Sequence, residues 1–490
     1  MASVHCDCTR EHDREITRRK LLALGGKGVA LGALGLSLPN MLMMREAYGL
    51  QPENPKYDGL LCVTFAGGAS HLDTWDPKPG SRNNVFQTID LGFDDVYGET
   101  VRISNVFPNL ANLAMNDPAI GVGIVRSMWH GSNNHGNGQL MMASFWRGAL
   151  LNSYPSMAPV FAHYFQGGGI GIPSVQINGG NLQGINDARG ARVPTALSVA
   201  VGGNQNQNPV VQALSRPANV DPARYAARKA LIDKLNARFL ARRAQDPLAK
   251  AYEKATQDAY DVTFQGEAAR AFDLTGKTLL PAQNNGDAQR FTLAQELLKA
   301  GVPYVTCGIG GNDSHSNNTA TVRNNWGQSF DRAIAQMCTN LKATGKRYLI
   351  FTITDFGRTP GTVANGRDGR DHWGGSFSTA LISINQPEFK SGAIGDTGPD
   401  GLWTEGTTGG GAQPDRLVDP FEPAHLGYLI YSAMGIPLFA ADGRADVPTP
   451  LGRNAPPVAR NVVLDVPTGP QAVYMPGASY GLKLRSAFFS

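Results

Sequence analysis

Cysteine is scarce in this 490-residue chain: there are five, with no Cys-x-x-Cys pair, so a disulfide framework is excluded. Cys6 and Cys8 lie near the start, while Cys62, Cys307 and Cys338 sit in apolar runs and are expected as buried free thiols. An excess of charge of either sign is also missing, with 44 Lys/Arg against 40 Asp/Glu. Seven of those basic and five of those acidic residues fall in residues 1–49, leaving 37 against 35 for the remainder. The basic footprint of a nucleic-acid binder is therefore absent. Beyond residue 50 no segment approaches the ~18 consecutive apolar residues of a membrane helix, so no stable span is expected in the mature chain. What remains is a chain that is 42% hydrophobic and can bury a large core, with 58 glycines and 31 prolines marking many loops.

The first 49 residues read as a targeting segment. "REITRRKLLALGGKGVALGALGLSLPNMLMMREAYG" has the basic, apolar, polar order of an export signal. Arg18-Arg19 stands where a twin-arginine signal places its pair, and the Gly-rich stretch behind it, broken by Lys27, is too weakly apolar for an anchor. Export in folded form through the twin-arginine translocon follows as the expectation, giving a periplasmic or secreted protein.

In the mature chain, short β-branched apolar runs at Leu60–Phe65, Ala119–Val125, Pro303–Ile309, Arg347–Ile353 and Thr379–Ile384 predict buried strands. Helical periodicity appears at Tyr225–Arg243, Phe291–Ala300 and Ser329–Thr344. Strands alternating with helices predict a large α/β sandwich with a mostly parallel central sheet, arranged as a single elaborated domain over residues 50–490. Leu60–Phe65, Pro303–Ile309 and Arg347–Ile353 are expected as parallel neighbours. The stretches "VGGNQNQNP" (201–209) and "GDTGPDGLWTEGTTGGGAQPD" (395–415) read as surface loops.

Polar clusters follow four of these strands: "SHLDTWD" after the first, "RSMWHGSNNHGNGQ" after the second, "GGNDSHSNN" after the third, and "TDFGRTP" with "GRDGRDHWGG" after the fourth. Parallel strands joined by right-handed crossovers deliver their carboxyl ends to one rim, where α/β proteins bind ligands. His71, Asp73, His135, Asp313, His315, Asp355, Asp371 and His372 are thereby a pool of metal ligands. Imidazole with carboxylate suits Zn, Mn or Fe, and carboxylates alone suit Mg or Ca. Arg358 and Arg370 are candidates to hold an anion's oxygens bidentately. Metal-activated water attacking a phosphate or sulfate ester is the chemistry such a set allows. Trp75, Trp129 and Trp373 beside the clusters either wall a pocket or pack the core. His163 and His425 stand apart from these segments.

"GGASHLDTWDPKPG", "HGSNNHG", "NDSH", "FGRTP" and "GRDHWGG", in that order behind the arginine pair, resemble the exported bacterial family named domain of unknown function 1501. That family is similar to a distant branch of the alkaline phosphatase and sulfatase superfamily. The resemblance implies metals at strand ends, and a nucleophile at the start of the helix after the second strand, where Ser132 is the only hydroxyl of Gly131–Gly136. Departures accompany it. Ala66-Gly67 stands where the superfamily has Asp-Gly, so His71 or Asp73 would replace that acid. Asp355-Phe356-Gly357 stands for Asp-His-Gly, Asp313 and His315 are closer than usual, and no Cys-x-Pro-x-Arg sulfatase signature is present. Two functions follow: an exported metal-dependent hydrolase of an anionic ester or glycan, and a catalytically degenerate envelope binding or assembly protein on the same fold.

Overall fold

Leu60–Phe65 is apolar at every position but one, the mark of a strand covered on both faces. In a computed structural model it forms strand β1 (Gly59–Phe65), with every residue buried. The structure describes residues 54–145 apart from 82, then 147, 156–165, 170–177, 197–199, scattered positions between 221 and 237, 267–361, 368–399, 401, 417–436, 438–439, 473–474 and 478–489. The leader and the 201–209 loop lie outside the described residues, and the Tyr225–Arg243 helix and most of 395–415 do so largely.

Eight strands make the main sheet. In chain order they are β1, β4 (Ile120–Met128), β5 (Ser174–Ile177), β6 (Leu197–Val199), β7 (Tyr304–Ile309), β8 (Tyr348–Thr354), β11 (Phe377–Ile384) and β12 (Gly392–Ile394). Two short ribbons supply the missing numbers: β2 (Thr88–Asp94) with β3 (Thr100–Ser104), and β9 (Gly357–Arg358) with β10 (His372–Trp373). Across the sheet the order is β12-β4-β11-β8-β1-β7-β5-β6. β1 lies between β7 and β8, parallel to both, with Leu60 opposite Tyr304 on one side and Leu349 on the other, as the hydrophobic runs predict. β11 alone is reversed, pairing antiparallel with β4 and β8. It is entered directly from the loop after β8, at the carboxyl rim, and a strand entered there without a crossover can only run back.

Alternation along each strand divides the core in two. Leu61, Val63 and Phe65 of β1 and Ile350 of β8 face one apolar cluster, which also takes Phe291, Leu297, Met337 and Leu341. Those come from helices α3 (Asn285–Lys299) and α4 (Arg332–Lys342), close to the two predicted helices. Leu60, Cys62, Leu349 and Phe351 face the opposite cluster with Leu426 and Ile430 of helix α5 (Pro423–Ala433) and Met142 of helix α2 (His135–Ser144). Helix α1 (Pro108–Asn116) also packs on the first face. Cys62, Cys307 and Cys338 are buried free thiols. Trp75 stacks on Phe107 at 4.1 Å inside the core.

β4 runs three residues past the predicted end at Val125. The polar Arg126 and Ser127 read as a strand end, yet both are buried, because Arg126 pairs with Asp95 at 2.8 Å and lies 3.5 Å from Asp76. Among the described residues no helix is long and apolar enough to cross a membrane.

Candidate metal centre

The loops that leave β4, β7 and β8 carry the polar clusters, and these three strands run the same way, so their carboxyl ends share one rim. From β4 the chain turns through Gly131–Asn134 into α2. Asn134 caps that helix by accepting from the Asn137 N–H at 3.1 Å, which leaves His135 in the first turn facing the rim. From β7 a glycine pair leads to Asp313 and His315. From β8 come Asp355 and, further along, Asp371 and His372, the latter opening strand β10 of the β9–β10 ribbon. In that ribbon His372 lies directly opposite Arg358.

Three imidazoles converge on the Asp313 carboxylate. His315 Nε2 is 3.0 Å and His372 Nε2 3.1 Å from Oδ1, and His135 Nε2 is 3.5 Å from Oδ2. The two histidines at Oδ1 stand 2.9 Å apart, Nε2 to Nε2. His135, Asp313 and His372 each offer one ligand atom, all within 4.8 Å of one another.

Behind the Nε2 atoms, each Nδ1 faces an oxygen. His135 Nδ1 is 2.5 Å from the Asp355 carboxylate, His372 Nδ1 is 3.0 Å from the Asn133 carbonyl, and His315 Nδ1 is 3.5 Å from Asp371. Carboxylates and carbonyls accept, so the proton is assigned to Nδ1 and the Nε2 lone pair is left for a metal. Asp355 is itself buried, and both its oxygens accept from the Gly67 N–H at 3.1 Å. Its hydrogen bond lifts His135 above the ordinary histidine range against the opposing pull of burial. At Asp313 burial works upward, but Arg358 and His372 outweigh it and hold the carboxyl at about 2.

A family model described as "Protein of unknown function (DUF1501)" matches residues 57–382, about two thirds of the chain. The chain belongs to the DUF1501 family. No curated protein matches it. Solved structures that match include the C-terminal periplasmic domain of EptC from Escherichia coli in complex with Zn, at 10% identity and a TM-score of 0.36, covering 79% of this chain and 86% of that one. The Streptococcus pyogenes phosphoglycerol transferase GacH in complex with sn-glycerol-1-phosphate matches at 8% identity and 0.34, covering 93% and 91%. An alkaline phosphatase from the Antarctic bacterium TAB5 matches at 11% identity and 0.30, covering 70% and 95%.

Of the residues expected to meet in this DUF1501 protein, the structure brings together His135, Asp313, His315, Asp355, Asp371 and His372. His71 and Asp73 are engaged elsewhere. Asp73 is fully buried, and its Oδ2 accepts from Arg370 Nε at 2.7 Å and from Asn318 Nδ2 at 2.7 Å. His71 is buried beside Trp373, 5.7 Å between rings, with neither nitrogen partnered among the described residues and burial pushing it down to about 4. The expected anion clamps are also committed. Arg358 and Arg370 are buried, their donors spent on backbone carbonyls, Asp313 and Asp73. Ser132 is half-buried; its Oγ accepts the Asn134 N–H at 3.3 Å.

The motifs understate the supports. His130 is buried, donates from Nε2 to the Asp355 carbonyl at 2.6 Å and accepts the Ser132 N–H at 3.1 Å, so it pins the β4 loop to the end of β8. Asn325, in a wide-turned π-helix over Val322–Asp331, donates to the Gly310 carbonyl at 3.2 Å and Asn312 Oδ1 at 3.1 Å, steadying the loop of Asp313. His130 lies in the histidine-bearing cluster after β4, whereas Asn325 does not stand out in sequence.

Proposed function

We propose that this chain is an exported metal-dependent hydrolase of phosphate or sulfate esters, with His135, Asp313 and His372 as ligands and His315 beside them. The convergence of three imidazole Nε2 atoms on one carboxylate, each Nδ1 facing an oxygen, carries the reading. Two imidazoles with a carboxylate favour Zn, Mn or Fe over Mg or Ca. Bound there, the metal would supply Lewis acidity to an ester oxygen and to an attacking water. The residues themselves orient and neutralise. Asp355 and the Asn133 carbonyl hold two rings in one tautomer, and Asp313, ionised far below neutral pH, supplies the anionic donor. His315, half-exposed, is the group placed to take or return a proton at Nε2.

The five motifs that resemble DUF1501, and through it the phosphatase and sulfatase superfamily, support ester chemistry. With both arginines committed inside the protein, substrate anions would be held at a metal borne by His135, Asp313 and His372. The arginine pair of the leader supports export through the twin-arginine translocon.

Elemental analysis of protein purified without chelator should find about one equivalent of Zn or Mn or more. Asp313→Asn and His372→Ala should each remove most of it and, with it, turnover of aryl phosphate or sulfate. Protein that binds neither metal even after dialysis against it would overturn the reading. Bound metal without turnover on a broad ester panel would favour the envelope-assembly alternative.

A further inference from the structure

Arg358 has a fully buried guanidinium whose only acidic partner among the described residues is the half-exposed Asp313. Burying a charge is costly unless its donors are satisfied, and here each of the three nitrogens has a carbonyl or carboxylate partner. Nη2 donates to the Asp313 carboxylate and the Gly67 carbonyl, and lies 3.4 Å from the Asn312 carbonyl. Nη1 donates to the Arg370 carbonyl at 3.0 Å, and Nε lies 3.4 Å from the Gly68 carbonyl.

Each of these contacts leads to a different ligand. Asp313 is touched directly. The Gly67 carbonyl belongs to the turn whose N–H holds Asp355, and Asp355 holds His135 Nδ1. The Arg370 carbonyl is two residues from His372, which also sits opposite Arg358 in the β9–β10 ribbon. One planar fork thus reaches all three ligand-bearing segments, Asp313 directly and His135 through a chain of three contacts.

We propose that Arg358 is a positioning residue that sets the mutual geometry of His135, Asp313 and His372, rather than a group that binds substrate. This rests on the metal-centre reading above. Lysine could keep the charge but not the fork, because an ammonium cannot direct donors along the edges of a plane to three loops at once.

Cobalt titration tests it, since the visible band of Co²⁺ reports the number and geometry of its ligands. Wild-type protein is titrated first; failure to bind cobalt or zinc there is failure of the metal-centre reading, seen without any variant. Given wild-type binding, Arg358→Lys and Arg358→Gln are compared, with folding followed by far-UV circular dichroism. A folded variant should bind Co²⁺ at least ten-fold more weakly, with a shifted or weakened band, as loss of a ligand's support does elsewhere. A merely structural arginine would lower the melting temperature and leave affinity and band alone, which would overturn the proposal. So would an unchanged band that no longer responds to inorganic phosphate where the wild type responds, since that marks an anion clamp. Should both variants be unfolded even with metal, Arg358 is a strut of the core and the proposal falls.

Discussion

His71 shows how a single polar residue in a ligand-rich motif can be spent on packing. It lies in "SHLD", yet its ring is buried between Trp373 and the backbone of Gly401, where a Cβ would stand 3.1 Å from Nε2. Burial lowers it to about 4, so the folded protein holds it neutral while the unfolded chain protonates near 6.5. With a depressed folded pKa, its contribution is present above pH 6.5 and is lost as pH falls toward 4. At pH 5 the loss is on the order of 2 kcal/mol. His71→Leu should therefore narrow the stability difference between pH 7.5 and pH 5 by about that amount, measured by urea unfolding at the two values. An unchanged difference would mean that the ring is not held neutral.

At the scale of elements, helix α2 matters because it carries His135 into the rim. Gly138 lies one turn on, where the helix presses against the end of β8: an added Cβ would stand 2.1 Å from the Asp355 carbonyl oxygen. In an open helix Gly→Ala gains ~1 kcal/mol. Here the methyl has no room, so Gly138→Ala should destabilise by roughly 1–3 kcal/mol, as overpacking does. It should also weaken zinc binding, because Asp355 and His135 would move apart. Thermal melts with a parallel zinc titration check both, and a stabilised variant with wild-type affinity would contradict the close packing. Legibility differed among elements. β1, β7 and β8 were plain from their apolar runs, whereas the end of β4 was not, since Arg126 looks like a surface residue until Asp95 and Asp76 are placed around it.

For the molecule as a whole, the sheet acts as a frame that brings residues 135, 313 and 372 within a few ångströms, although they are far apart in sequence. A site assembled from segments so distant exists only after folding, so the proposed metal loading before export would require a route that carries folded proteins. Replacing Arg18-Arg19 by Lys-Lys should leave precursor in the cytoplasm, because the translocon reads the guanidinium pair and not bare charge. Fractionation of cells expressing the two forms decides it; equal export of both would remove the twin-arginine assignment.

The sequence by itself determined the α/β class, the strands at the centre, and a set of polar segments that contains all of the converging residues. Hydrophobic period and strand-end position are local properties, legible in one dimension. Tertiary structure alone decided which members of that set meet. Asp73 and Asp355 are both aspartates just past a parallel strand, yet Asp73 is closed off by Arg370 and Asn318 while Asp355 turns its oxygen to His135. Arg358 and Arg370 likewise read as anion binders, and only their enclosure by backbone carbonyls turns them inward. Partner choice among like charges depends on three-dimensional proximity and desolvation, neither of which is written at any one position of the chain.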